Sequence, residues 1–346
     1  MKTWDPRSDS KIGPDAGRKQ GLTRSLRINL VVIVAVYALL GTVSMIAADW
    51  LDTPIMIALS IGIAASGLML LWRSGLISFG HGLYLGVGAY SVAILNQWYG
   101  VSSVFAALAV GGFLAGLTGA VIGVLIQRYR GIFFAMLNLA FSMVLYGYLV
   151  NSNMFGSTEG LSVSPGTLLG IDLVTSEGHD KRLVLLVVVL CFLVTIFVEV
   201  WRHSVMGWLG RSIRDNEVRV QYLGYSVAQT VFVTYLISAV ATGLAGVVLA
   251  LSIGQVDPGS MVNWTASGDL VFATVLGGTG SALAPVLGGF CYEAIHSTSM
   301  QLFPSSWGLV MGVAIVAIIM ALPTGLWSVI RRIIKARVFS VKKVEQ

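Results

Sequence analysis

Charged residues are scarce in this sequence: Asp, Glu, Lys and Arg make up 11% of its 346 residues, whereas hydrophobic residues make up 56%. Soluble domains carry about 25% charged residues, so a water-facing surface around the whole chain is excluded. Glycine is abundant, with 40 residues, and such a density is expected where helices approach closely in lipid. The composition therefore predicts a polytopic membrane protein of the all-α class.

Cysteine is nearly absent, and the motifs of catalysis and of metal or nucleotide binding are missing. Cys191 and Cys291 both lie inside apolar segments, so we expect neither a disulfide nor a metal site. No G-x-x-x-x-G-K-S/T motif occurs, so no nucleotide site of that type is expected on this chain. The glycine-rich run 277–280 lacks the lysine of a phosphate loop; with Pro285 it instead predicts a broken helix. No nucleophile–base pair is visible, so we expect no catalytic residue.

Ionisable groups are also few inside the hydrophobic segments. Ion-driven carriers usually need buried acids or rows of arginine, and a lone Glu293 is weak support for ion coupling. His81 could gate a pathway, but a hydrogen-bonded packing histidine is the favoured interpretation. Basic residues flank the segments instead of forming a face with aromatic residues, which argues against nucleic acid. In the interiors of the segments these groups are His81, Glu293 and His296, and Glu199 lies near a segment end.

The chain contains ten hydrophobic segments. The eighth is too short to cross alone, because a span needs about 20 residues. It either continues through the glycines or turns back as a re-entrant half-helix near residues 269–282. The segments are Ile28–Ala48, Ile55–Trp72, Leu76–Leu95, Ser102–Ile126, Ile132–Val150, Leu183–Val200, Thr230–Leu251, Asp269–Leu276, Leu283–Thr298 and Trp307–Leu326.

The basic residues predict the orientation. With the N-terminus inside, 20 of the 22 Lys and Arg residues fall on the cytoplasmic side, and only Lys181 and Arg182 fall outside. Residues 1–27 carry seven basic residues and no apolar run, so they predict a polar cytoplasmic extension and not a signal peptide. A transmembrane domain, 28–327, and a basic cytoplasmic tail, 328–346, complete the organisation. Both termini and the loop 201–229 are expected in the cytoplasm.

The loop 201–229 is a long charged segment between two apolar ones. Ser212 and Asp215 have capping-box spacing, and Gly224 offers a left-handed residue, which together predict a helix over Ile213–Leu223. That helix would be roughly 16 Å long, too short for a hydrocarbon core of about 30 Å. Asp215 stands four residues from both Arg211 and Arg219, as in a solvent-facing helix. The loop is therefore either a handle for another protein or an ordinary solvated connection.

Polar side chains recur every four residues in two segments and so occupy one face of each predicted helix. Such stripes must face protein or water, because their groups would be unpaired in hydrocarbon. Interhelical hydrogen bonding is the favoured explanation, and a pathway for a small polar or zwitterionic solute is the alternative. The stripes are Asn138, Ser142 and Tyr146 in the fifth segment, and Thr230, Thr234, Ser238 and Thr242 in the seventh.

Small residues four apart predict close helix packing in two other segments. Gly82 and Gly86 form one such pair, and Gly112 and Gly116 form another. These pairs carry no information about a solute.

Five collinear blocks of this chain resemble the permeases of branched-chain amino-acid ABC importers, specifically the second of the two permease subunits. The resemblance covers about residues 28–327 and leaves out only the tails. Residues Glu217–Gly224 of the loop 201–229 resemble the motif by which such permeases contact their ATPase. The family often has small residues where Val218, Arg219 and Val220 stand, so the fit of this loop on the ATPase is expected to differ from that of the family. The blocks are Ile77–Tyr90, Arg130–Tyr146, Gly156–Ser162, Gly210–Val227 and Val275–Phe290.

The resemblance implies partners and a function. It implies a heterodimer with a paralogous permease, two cytoplasmic ATPase subunits that bind ATP and Mg²⁺, and an extracytoplasmic solute-binding protein. The solute would be a branched-chain or related amino acid, with urea, short amides or aromatic carboxylates as alternatives. The chain itself would be a non-enzymatic permease of the bacterial inner membrane, in contact with lipid. The expected ATPase-coupling residues are Arg211, Arg214, Asp215, Glu217, Arg219, Gln221 and Gly224. An ion-coupled carrier and a passive channel are the less favoured alternatives.

Overall fold

The computed structural model of the protein describes residues 14–332, except residues 165, 169–170, 173, 176–177, 180 and 323–324. This part is almost entirely helical, as predicted, and the first half of the predicted extension 1–27 and most of the tail 328–346 lie outside it. The helices are α1 (Pro14–Ile46), α2 (Asp52–Arg73), α3 (His81–Tyr99), α4 (Val104–Ile126), α5 (Gly131–Val150), α6 (Lys181–His203), α7 (Val205–Tyr222), α8 (Val227–Ile253), α9 (Pro258–Met261), α10 (Trp264–Gly277), α11 (Ala284–Leu302) and α12 (Trp307–Ala321).

Six short strands lie in the connections, each two residues long. β1 pairs with β6 in antiparallel register, with Leu161 opposite Val256, and so ties the connection after α5 to the one after α8. The others form two small hairpins, β2 with β3 and β4 with β5. The strands are β1 (Leu161–Ser162), β2 (Thr167–Leu168), β3 (Ile171–Asp172), β4 (Val174–Thr175), β5 (Gly178–His179) and β6 (Gln255–Val256).

Each of the ten predicted segments overlaps one helix, but not every helix has the length and apolarity of a membrane span. In the described part of the chain, six helices meet both conditions. The 14 residues of α10 give a helix of about 21 Å, short of the hydrocarbon thickness of ~30 Å. The six are Leu26–Ile46, Asp49–Arg73, Val104–Ile126, Gly131–Val150, Lys181–His203 and Val227–Ile253.

The predicted break in the eighth segment is present. α10 ends at Gly277, Gly278 adopts a left-handed φ of 84°, and Pro285 stands in the first turn of α11. Proline fits there because the first turn of a helix needs no backbone N–H donor. α10 therefore does not continue through the glycines, and it packs against α11 as one arm of a helical hairpin.

The third segment begins later than predicted. α3 starts at His81 and not at Leu76, because the chain between α2 and α3 is an extended connection entered through Gly75 at φ 77°. A side chain at Gly80 would collide with the backbone of Asn138, so this connection runs directly against α5.

α8 lies at the centre of the bundle and packs against α2, α3, α4 and α7. Close approach depends on glycine: a Cβ at Gly112 or Gly116 of α4 would lie 3.1 Å from the Leu244 or Val240 side chain of α8. Gly82 and Gly86 of α3 instead face the first turn of α10 and the connection before it, where a Cβ would meet Ser267 Oγ at 2.8 Å and Val262 closer still. These are the contacts that small residues four apart favour.

Candidate functional site

Most of the charged loop 201–229 is helical, but the helix does not begin at the predicted capping box. α7 begins at Val205, where the hydroxyl oxygen of Ser204 accepts a hydrogen bond from the Gly207 N–H at 3.2 Å. Ser212 lies inside α7, and its hydroxyl donates to the carbonyl of Trp208 at 3.1 Å. A serine in a helix interior commonly bonds back to residue i−4 in this way, so it is not free to cap.

A break at Asn216 divides α7. Asn216 has extended backbone angles, φ −162° and ψ 101°, and its Oδ1 accepts a hydrogen bond from the Arg219 N–H at 2.9 Å. Asn216 is thus the cap of a short second helix, residues 217–222, which we call the loop helix. The break also separates Asp215 from Arg219, and no ion pair joins Asp215 to Arg211 or Arg219 in the described structure. The predicted uninterrupted helix over Ile213–Leu223 is therefore wrong.

The loop helix ends as predicted at Gly224. Its φ is 84°, its N–H donates to the Gln221 carbonyl at 2.9 Å, and the Tyr225 N–H donates to the Val220 carbonyl at 3.3 Å. This pair of bonds is a Schellman motif, in which a left-handed glycine stops the helix. No atom lies within 4 Å of a Cβ built at Gly224, so the position needs glycine for its backbone angles and not for space.

Two contacts hold the loop helix on the bundle. Val220 is 2% exposed and packs in a hydrophobic cluster with Ile213 and Val227. Glu217 accepts two hydrogen bonds from the Arg130 guanidinium, at 3.1 and 3.3 Å, just before α5 begins. The loop helix is therefore attached to the residue that precedes α5.

The outer surface of this loop combines charge with apolar groups. Leu223 is 69% exposed, and Tyr222 is 88% exposed. Clustered exposed apolar side chains often mark a protein–protein contact. Of the predicted coupling residues, Glu217 is half-buried and the others are exposed, namely Arg211, Arg214, Asp215, Arg219, Gln221 and Gly224.

The α5 stripe is buried against other helices. Asn138 is 2% exposed; its amide nitrogen donates to the Phe134 carbonyl at 2.8 Å, and its oxygen accepts from the Tyr235 hydroxyl. Ser142 donates to the Val262 carbonyl at 2.9 Å, whereas Tyr146 is half-buried. The hydrogen-bonding capacity of this stripe is thus used within the chain.

The α8 stripe is also buried and bonded. Thr234 and Thr242 donate to carbonyls one turn earlier in α8, at 2.7 and 2.9 Å. Ser238 lies 2.7 Å from Nε2 of His81, whose Nδ1 lies 2.8 Å from Ser78 Oγ. His81 is fully buried, so it has the packing arrangement favoured above. A role for either stripe in solute passage stays a prediction.

A cavity of about 660 Å³ lies elsewhere, between α2, α8, α10, α11 and α12, and no residue of the two polar stripes lines it. Its polar lining includes Asp269, Tyr292, Glu293 and His296. Sequence reasoning missed this group, because Asp269 stood at a segment end and Glu293 looked isolated. The available signal was the spacing of Glu293 and His296, which puts both on one helix face.

A family model and several known proteins are similar to parts of this chain. A family model described as "Branched-chain amino acid transport system / permease component" matches residues 51–320. The high-affinity branched-chain amino acid transport system permease protein LivM of Escherichia coli K12 is 28% identical over 285 residues, 76% of this chain and 66% of that protein. LivM of Salmonella typhimurium is 29% identical over 235 residues, 62% of this chain and 55% of that protein.

A second permease type is similar over a shorter stretch. LivH of Escherichia coli K12 is 26% identical over 133 residues, 38% of this chain and 42% of that protein. The matched parts thus span 66%, 55% and 42% of these three relatives, less than two thirds of each, and no solved structure matches. The relatives and the six apolar helices make this a multi-pass protein of the bacterial inner membrane. Because the family model covers most of the helical bundle, the chain belongs to the permease component family of branched-chain amino acid transport systems.

Proposed function

We propose that this chain is a permease subunit of an ATP-driven importer and forms part of the path for a small polar solute, a branched-chain or related amino acid. Urea, short amides and aromatic carboxylates are alternative solutes for the same machinery. The match of the family model to residues 51–320 carries the proposal. ATP hydrolysis takes place on partner subunits. This chain transmits their conformational change to the solute path.

The proposed assembly has one paralogous permease, two cytoplasmic ATPase subunits with their ATP and Mg²⁺, and one extracytoplasmic binding protein. The similarity to both LivM and LivH relatives supports a permease pair. About ten hydrophobic segments, with both termini and α7 in the cytoplasm, give the arrangement that the distribution of basic residues favours.

The proposed ATPase contact is the surface of α7 and the loop helix. Three features support it: exposed Tyr222 and Leu223, a helix end fixed by Gly224, and the ion pair that joins Glu217 to Arg130. A contact that transmits movement must be rigid itself and attached to a membrane helix. The Arg130 pair supplies the attachment to α5.

Reconstitution tests the function. The chain is co-expressed with the paralogous permease and ATPase subunits from its own genome, purified and placed in liposomes with the binding protein outside. We expect labelled leucine to accumulate only with ATP and binding protein, and urea and benzoate to accumulate less. Accumulation driven by an ion gradient without ATP would show a secondary carrier, and ATP-independent equilibration would show a channel.

A further inference from the structure

The 660 Å³ cavity lies in the half of the bundle that is farther from α7. α8 contributes Leu249 and Ile253 from its last turns, and α10 contributes Asp269 from its second turn. α11 forms a second wall, and the first turns of α12 cover the cavity with Trp307 and Met311. Its volume lies within the range of about 300–1,000 Å³ that is usual for small-molecule pockets.

The lining carries two carboxylates and, among the described residues, no lysine or arginine. Glu293 is 7% exposed and accepts no hydrogen bond in the described structure; its nearest charged partner is His296, whose Nδ1 lies 3.8 Å from Oε2. A buried carboxylate is costly unless it is paired and hydrogen-bonded. Glu293 faces open space large enough for a molecule that would supply this missing donor.

The remaining lining gives the shape of such a molecule. Tyr292 stacks on His296 with ring centroids 6.1 Å apart, and His296 meets Trp307 edge-on at 5.4 Å. All three line the cavity, and the faces of Trp and Tyr rings attract cations. Leu249 and Met311 provide an apolar wall. An ammonium group on an aliphatic body satisfies both kinds of surface.

We propose that this cavity is a binding site for a primary ammonium group on an aliphatic body, with Glu293 and Asp269 as its acceptors. The occupant is the transported amino acid, an assignment that rests on the proposed function. The headgroup of an ethanolamine phospholipid has the same ammonium chemistry and is the other source that the experiment must separate.

The test measures binding of labelled leucine to the assembled importer in nanodiscs of phosphatidylcholine and phosphatidylglycerol, without binding protein or ATP. We expect 3-methylbutylamine to displace leucine and 4-methylpentanoate, which lacks the amine, not to. Glu293→Gln and Asp269→Asn should each weaken leucine binding at least about tenfold, as expected for loss of a charged hydrogen-bond acceptor. Asp49→Asn, at a carboxylate that is 69% exposed on its side chain and outside the cavity, is the matched control.

Three results would overturn the proposal. The first is equal leucine binding by the wild type, Glu293→Gln and Asp269→Asn. The second is displacement by 4-methylpentanoate as effective as displacement by the amine, a measurement that needs no variant. The third is that phosphatidylethanolamine removes binding of labelled 3-methylbutylamine while leucine does not, which would assign the site to lipid. ATP-driven uptake by the wild type is measured separately, so its absence would refute the proposed function and not the amine site.

Discussion

Replacing Gly224 with valine should uncouple the loop helix from its ATPase while leaving the membrane bundle intact. A residue other than glycine pays about 1–2 kcal/mol to adopt left-handed backbone angles, and a β-branched residue pays more. Gly224 has a φ of 84°, and a Cβ there would meet nothing within 4 Å, so this backbone cost is the whole effect. The two bonds of the Schellman motif depend on those angles. A cost of one to two kcal/mol lowers the ratio of ordered to disordered helix ends by roughly 5- to 30-fold.

The assay uses the purified complex in lipid and measures ATPase activity with and without loaded binding protein. We expect Gly224→Val to assemble less tightly or to lose most of the stimulation by binding protein. Gly224→Asn should retain most of it, because asparagine tolerates the left-handed region better than other residues. Gly100→Val is the matched control: Gly100 ends α3 with φ 63° and an equally open Cβ position, at the other end of the bundle.

Two outcomes would contradict a role of the loop helix in coupling. If Gly224→Val keeps full assembly and full stimulation, the loop helix does not contact the ATPase productively. If Gly100→Val impairs stimulation as much as Gly224→Val does, the effect comes from general loss of stability and not from the loop helix.

Three further predictions concern charge, orientation and the polar stripes. Glu217→Lys should barely change thermal stability, because a partly exposed pair contributes about 0–1 kcal/mol, yet should reduce stimulated ATPase activity; adding Arg130→Glu should restore it, and no recovery would argue against the pair. A cysteine at Ser162 should react with an impermeant thiol reagent outside intact cells and one at Ser226 should not; the reverse pattern would invert the topology. Asn138→Leu should reduce uptake without loss of assembly if α5 lines the path, whereas loss of assembly in pull-down would assign Asn138 to packing.

The helices could be predicted closely wherever polar residues bound the apolar run. The fifth segment, predicted as Ile132–Val150, is α5 from Gly131 to Val150, because Arg130 and Asn151 mark both ends. The eighth was placed too late, because α10 begins at Trp264, after the capping residue Asn263 and five residues before the predicted segment. Hydropathy locates the part of a helix that faces lipid or protein, whereas capping residues locate where the helix begins.

In the charged loop, too, the sequence predicted where a helix ends better than where it begins. Gly224 was predictable because its role depends on its own backbone angles. The position of Ser212 inside a helix was not predictable. A serine three residues before an acid caps a helix only if the preceding residues are not already helical, and here α7 starts at Val205. Asn216 had as strong a preference for the cap position, but nothing local showed that the chain would break there.

The polar stripes and the cavity differ in whether the fold supplies hydrogen-bond partners for their side chains. The stripes could be recognised in the sequence because their four-residue period is visible along one helix. In the fold, however, Asn138 is hydrogen-bonded to Tyr235 and Ser238 to His81. Asp269 and Glu293 have no shared period, since they line one cavity only after the break at Gly277 folds α10 back on α11. Paired neutral groups need no ligand, whereas a buried carboxylate without a donor does. The tertiary structure therefore places the least satisfied of these buried groups at Glu293, an acid that looks isolated in the sequence, and not in the periodic stripes.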